Sequence, residues 1–270
     1  MSKKRKKYEE LTIVDDFMFG KVMRNPEYCK RLLEIILDVR IRRLEYIEEE
    51  ATKNPSYRGK GIRLDIYVEN GENSVYDVEM QTEAVDSIPK RCRYYQAVID
   101  ISLIEKGDNY KALRKSYVIF ICTFDLFHKG LPIYHFENRC RENPEIELGD
   151  ASEKIFLNTK ANLSGVSGEL RCLLEYFENQ IPQDAFTREL EEAVMEVRDH
   201  RAFKLEYMSA WAREQDLREE GREEGREEVI GVLIATCRES GQTCEATAGI
   251  LKEKLSLSEE AVHRAMERYW

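Results

Sequence analysis

The sequence predicts a mixed α/β core followed by an α-helical C-terminal extension, and three observations carry that reading. Residues 62–68 and 74–81 alternate apolar and polar side chains on either side of the turn formers Asn70-Gly71-Glu72-Asn73. Residues 117–123 (Tyr-Val-Ile-Phe-Ile-Cys-Thr) are almost continuously apolar and β-branched, and from about Ser164 onward the apolar spacing is helical. Alternation marks a strand covered on one face, and a short continuous apolar run marks one covered on both. Strands separated by helical segments build a mixed α/β layer structure.

Taken in order, Asp15 and Asp16 precede Phe17, Phe19, Val22 and Met23, which return at helical spacing, so a helix with an acidic start is expected. A second helix is expected over 27–37, and Pro55, Ser56, Gly59 and Gly61 place a turn across 54–61. In the strand that follows, Ile62, Leu64, Ile66 and Val68 share one face, with Arg63, Asp65 and Tyr67 on the other. The 70–73 turn makes this strand and the next a hairpin. In the second strand Tyr76, Val78 and Met80 face one way and Asp77, Glu79 and Gln81 the other, the pattern of a half-buried strand.

Pro89 stands where a helix begins, and Tyr94, Tyr95, Val98, Ile99, Ser102 and Leu103 continue it. Residues 117–123 read as a central strand, with shorter strands near 133–136 and 154–157 and helices over 170–177 and 187–218. The run Arg218-Glu-Glu-Gly-Arg222-Glu-Glu-Gly-Arg226-Glu-Glu is a charge-laced helix with a four-residue repeat. Each glycine in it costs about 1 kcal/mol against alanine, partly offset by Glu219–Arg222 and Glu223–Arg226 pairs. Helical segments over 229–237, 245–254 and 258–269 then form a compact cap or a small helix-turn-helix; their balance of acidic and basic residues favours the cap. The expected organisation is a core over 1–163, a helical continuation over 164–217, and the repeat helix with its small module over 218–270.

Composition narrows the function classes. With 42% hydrophobic and 35% charged residues the chain is globular with a heavily charged surface. A net charge of −10 excludes a protein that coats nucleic acid by bulk charge. It is compatible with a site that gathers carboxylates around a divalent cation while local Arg and Lys follow phosphates. The seven cysteines are scattered without a CxxC pair, which fits neither a disulfide framework nor a zinc ribbon and points to the cytoplasm. No run is long and apolar enough for a membrane span, and the basic cluster from Lys3 to Lys7 has no apolar stretch behind it, so neither a membrane anchor nor a signal peptide is expected. That cluster is either a solvated arm or a phosphate contact. The four histidines show no metal-ligand spacing.

Phosphodiester hydrolysis needs a metal to polarise the phosphate and activate water, and Mg²⁺ prefers carboxylate oxygens. Asp65 on one hairpin strand and Glu79 and Gln81 on the other are candidates for that task. Asp77 and Glu79 stand together on one face of an otherwise apolar strand, where like charges repel unless a cation or basic group lies between them. Asp77 takes the place of Glu79 if the strand register differs from this one.

Segments 15–22 (Asp-Asp-Phe-Met-Phe-Gly-Lys-Val), 63–68 (Arg-Leu-Asp-Ile-Tyr-Val) and 76–82 (Tyr-Asp-Val-Glu-Met-Gln-Thr) resemble, in order, three blocks of the recombination-promoting (Rpn) nuclease or putative-transposase family of PD-(D/E)XK nucleases. Arg91-Cys92-Arg93-Tyr94-Tyr95 fits the block that follows, and the Arg-Glu-Glu-Gly tail is similar to the family's C-terminus. The resemblance implies a PD-(D/E)XK restriction-endonuclease-like core, a mixed central sheet flanked by helices. It makes Asp65 and Glu79 the metal-binding carboxylates, places Gln81 where many such enzymes have a lysine, and adds Asp16 to the metal shell or to the orientation of water. Arg63, Arg91, Arg93 and Tyr94 become candidates for DNA contact. The implied cofactor is Mg²⁺ or another divalent cation, with no organic cofactor. The partners are DNA and a second copy of the chain, and the implied role is DNA cleavage in recombination or in mobile elements. A competing reading is a catalytically inactive nuclease-like scaffold that acts through protein–protein contacts.

Overall fold

The computed structural model of the chain describes residues 6–46, 66–70, 74–104 and 106–270. Among them, eight α-helices and six strands follow one another as α1 (Asp16–Val22), α2 (Pro26–Leu37), β1 (Leu44–Tyr46), β2 (Ile66–Asn70), β3 (Ser74–Gln81), α3 (Ile88–Leu103), β4 (Lys115–Cys122), β5 (Ile133–Phe136), β6 (Ser152–Asn158), α4 (Gly168–Asn179), α5 (Ala185–Asp199), α6 (Arg201–Glu239), α7 (Cys244–Leu255) and α8 (Glu259–Tyr269). The chain divides into two compact units, Met1–Lys204 and Leu205–Trp270.

The first unit is built on one sheet with strand order β1-β2-β3-β4-β6-β5. β1, β2 and β3 run antiparallel in sequence; β3, β4 and β6 are parallel; β5 lies antiparallel on the far edge. The expected hairpin is β2–β3. Asn70 helps to close it: its Oδ1 accepts from the Ser74 N–H at 2.8 Å and its Nδ2 donates to the Tyr76 hydroxyl at 2.9 Å. The beginning of the strand expected over 62–68, the turn at 54–61, residues 71–73 and the first part of the basic cluster lie outside the described residues.

β3 departs from its sequence pattern. Alternation predicts one covered face, yet Val75 through Met80 are all buried. The reason is position: β3 is a central strand, and α3 lies across the face that carries Val75, Asp77 and Glu79. Ile88, Cys92, Tyr95, Val98 and Ile99 of α3 pack on Val75, Val118, Phe120, Cys122 and Phe156 of the sheet. Phe120 stacks on Tyr95 at 6.1 Å and on Phe156 at 5.6 Å between ring centroids. β4 is buried from Val118 to Cys122, as its continuous apolar run requires for a strand covered on both faces. α1 touches β3 and α5, and α2 and α5 both touch α4.

The helical half differs in two places. The helix expected over 187–218 breaks at His200, whose φ of −80° and ψ of 108° are extended and whose N–H donates to the Val197 carbonyl at 3.1 Å. The His200 ring packs on Phe203 at 4.4 Å. No glycine or proline announces this break. α6 then runs on to Glu239, through Gly221 and Gly225, and absorbs both the boundary expected at 218 and the separate helix expected over 229–237. In the second unit Ile230 and Ile234 of α6 pack with Leu251, Leu257, Val262 and Ala265. Thr243 and Ser258 cap α7 and α8 by accepting from the N–H groups of Ala246 and Ala261.

Nothing lies within 4 Å of a Cβ added at Gly221 or Gly225, whereas at Gly231 it meets the Tyr269 ring at 3.3 Å. Gly221→Ala with Gly225→Ala is therefore expected to stabilise the second unit by up to about 2 kcal/mol from helix propensity alone. Gly231→Ala gains less. Urea unfolding followed by helical circular dichroism measures the difference; a destabilised double variant would mean that the glycine face is covered in solution.

Candidate active site

The site is organised by the end of β3 and the first turn of α3. Glu79 and Gln81 are two apart on a strand and so project to the same face. The parallel pairing sets Glu79 opposite Phe120 and Gln81 opposite Cys122, the residues over which α3 packs. Arg91, in the first turn of α3, reaches down to both. Its Nη1 donates to Gln81 Oε1 at 3.0 Å, and its Nη2 lies 3.4 Å from Glu79 Oε2. The Gln81 amide is anchored at its other end, where Nε2 donates to the Glu83 carbonyl at 2.9 Å. The guanidinium sits 5.4 Å from the Phe120 ring centroid and 5.5 Å from that of Tyr95, a cation–π seat.

The exposure of the ion pair is one-sided: the Glu79 side chain is 4% exposed and that of Arg91 35%. Asp77, fully buried, lies two residues deeper on the same face, opposite Tyr67 on one side and Val118 on the other. Two groups of α3 lie close to these carboxylates. The Tyr95 phenol is pushed up to about 12 by burial, with the charges of Glu79 and Asp77 adding to the effect and Arg91 opposing it. The Cys92 thiol is likewise pushed up to about 12 by burial, with Asp77 and Glu79 raising it and Lys154 opposing.

Of the residues singled out in the sequence, the structure thus joins Glu79, Gln81 and Arg91. Asp65 and Arg63 lie outside the described residues. Asp65 is next in sequence to Ile66, whose partner across the sheet is Val78, itself the neighbour of Glu79. Asp16 is exposed in the first turn of α1, where Asp15 takes the cap position. Arg93 is exposed, and Tyr94 is half-buried against the cluster under α3. Spacing alone does not disclose the link from Arg91 to Gln81, because it joins residues ten apart across a loop. The sequence pattern puts Asp77 on the uncovered face of a half-buried strand, and α3 buries it instead.

Glu79 and Asp77 are hard oxygen donors on one face, the donor chemistry that Mg²⁺ takes. Among the described residues no group of three or more His, Cys, Asp or Glu side chains is placed to hold an ion. No described helix is long and apolar enough to cross a membrane.

A mixed six-stranded sheet with flanking helices is consistent with the PD-(D/E)XK nuclease fold. The family model for PD-(D/E)XK nuclease family transposases matches residues 16–223, and the chain belongs to this family. No curated protein and no solved structure matches the chain. Family membership supports a nuclease-like function, with DNA as the implied substrate and phosphodiester hydrolysis as the implied reaction.

Proposed function

We propose that the chain is a divalent-cation-dependent DNA endonuclease of the cytoplasm, acting in recombination or in the movement of genetic elements. Asp65 and Glu79 are its metal-binding carboxylates. The observation that carries this reading is a buried carboxylate, Glu79, held beside Gln81 on β3, whose hairpin partner β2 is described from Ile66, the residue that follows Asp65 in sequence. When bound by these carboxylates, a cation such as Mg²⁺ supplies Lewis-acid polarisation of the phosphate.

The protein's own contribution is positioning. The sheet and α3 exclude water from the inner side of Glu79, Gln81 fixes the orientation of Arg91, and exposed Arg93 follows the phosphate backbone with Arg63. Asp16 serves to orient water or complete the ligand set. The sheet-bearing unit carries the chemistry, and the helical unit serves association, including with a second copy of the chain. One observation favours the inactive-scaffold reading, the Glu79–Arg91 ion pair, which occupies part of the carboxylate in the structure described.

Plasmid cleavage by the wild-type protein and by Asp65→Ala, each with Mg²⁺ and with EDTA at low salt, decides between them. Cutting by the wild type with Mg²⁺ alone, and by neither protein in EDTA, is the expected result. Equal cutting by both proteins would remove Asp65 from the site, and no cutting by either would leave the scaffold.

A further inference from the structure

We propose that Arg91 supplies the positive charge that contacts the scissile phosphate, the task given to a lysine at the position of Gln81 in many PD-(D/E)XK enzymes. Gln81 is then a positioning residue that aims it. The inference rests on the nuclease reading above and assigns the one role that the glutamine leaves empty.

A neutral amide can donate and accept hydrogen bonds, but it brings no charge to an anionic transition state. The Gln81 amide is, moreover, already engaged at both ends: Oε1 accepts from Arg91 Nη1 at 3.0 Å, and Nε2 donates to the Glu83 carbonyl at 2.9 Å. Its geometry is that of a bracket between the backbone after β3 and the guanidinium.

Arg91 has what the amide lacks. It carries five N–H donors in a planar fork. The contact to Gln81 is of ordinary length, whereas the contact to Glu79 at 3.4 Å is well beyond the roughly 2.7–2.9 Å of a good charge-assisted bond. Nε makes no hydrogen bond among the described residues. The guanidinium is therefore only partly satisfied in place. It is also open to the outside, with 35% of the side chain exposed against 4% for Glu79. Phe120 and Tyr95 support it at 5.4 and 5.5 Å, so an arriving phosphate meets a pre-seated cation. The guanidinium lies beside Glu79 before DNA arrives and can turn its outer edge to the phosphate afterwards.

The test uses the full chain as wild type, Arg91→Ala, Arg91→Lys and the double variant Arg91→Ala/Gln81→Lys, each checked for folding by thermal unfolding. Three quantities are read: plasmid cleavage with Mg²⁺, binding of a short DNA duplex with Ca²⁺ in place of Mg²⁺, and calorimetric binding of Mn²⁺ to the protein without DNA. Arg91→Ala is expected to lose cleavage by about 100-fold and to bind DNA more weakly, while Mn²⁺ binds more tightly because the guanidinium no longer competes for Glu79. Arg91→Lys keeps a charge without the fork and falls between. The double variant, with a lysine on β3, recovers most of the lost cleavage. A merely structural Arg91 lowers all three quantities together and is not rescued at position 81. Wild-type cleavage by Arg91→Ala, or DNA binding unchanged with weaker Mn²⁺ binding, overturns the assignment. If the wild type itself fails to cut, the nuclease reading falls, and the DNA and Mn²⁺ measurements still decide whether Arg91 holds phosphate and faces Glu79.

Discussion

Glu79→Gln is expected to reduce DNA cleavage by on the order of 10³-fold while leaving the melting temperature unchanged or higher. The substitution keeps the shape of a side chain that is 4% exposed and removes only its charge. Burying a carboxylate costs hydration, and the Arg91 contact that the neutral amide gives up is a long one at 3.4 Å. Breaking a buried pair usually destabilises by about 3–5 kcal/mol because the surviving charge is stranded. Arg91 is not stranded: its side chain is 35% exposed and keeps its bond to Gln81. Plasmid assays and thermal unfolding measured on the same preparation check both halves. A fall of more than about 10 °C, equivalent to several kcal/mol for a domain of this size, would instead make Glu79 a structural residue.

The second large effect concerns the floor under that site. Phe120→Ala is expected to cost about 3–5 kcal/mol of stability. Phe120 is fully buried on β4, stacks on Tyr95 and Phe156, and lies beneath the guanidinium of Arg91. Truncation opens a cavity at the centre of the sheet–α3 interface, where neighbouring strands restrict collapse. Ile101→Ala, at a side chain 57% exposed on α3, is the matched control and should stay within about 0.5 kcal/mol of wild type. Urea unfolding reads both. A loss below about 1 kcal/mol for Phe120→Ala would show that the interface repacks, and the proposed support of Arg91 by this ring would lose its basis.

Much of the sheet was legible because strand signals are local. The apolar run 117–123 announced β4, and 133–136 matched β5 residue for residue. The exposure of β3 was misread because periodicity reports which residues share a face, while what covers that face depends on α3, a separate element. The break at His200 left no trace because it uses ordinary backbone angles and no Gly or Pro. Conversely, Gly221 and Gly225 suggested a weak helix, yet α6 passes through both, since two propensity penalties are small beside the cooperativity of a long helix. At the site, Glu79 and Gln81 were visible as a two-residue spacing. The role of Arg91 required the fold, because the loop that returns α3 over β3 sets the contact.

The sheet's topology also dictates an order of assembly. Only a few residues separate β2 from β3 in sequence, so their pairing is expected to close early and at little entropic cost. The parallel ladder between β3 and β4 must wait for the whole crossover through α3. The counter-charge that Arg91 brings to Glu79 is therefore expected to arrive in the later, slower stage of folding.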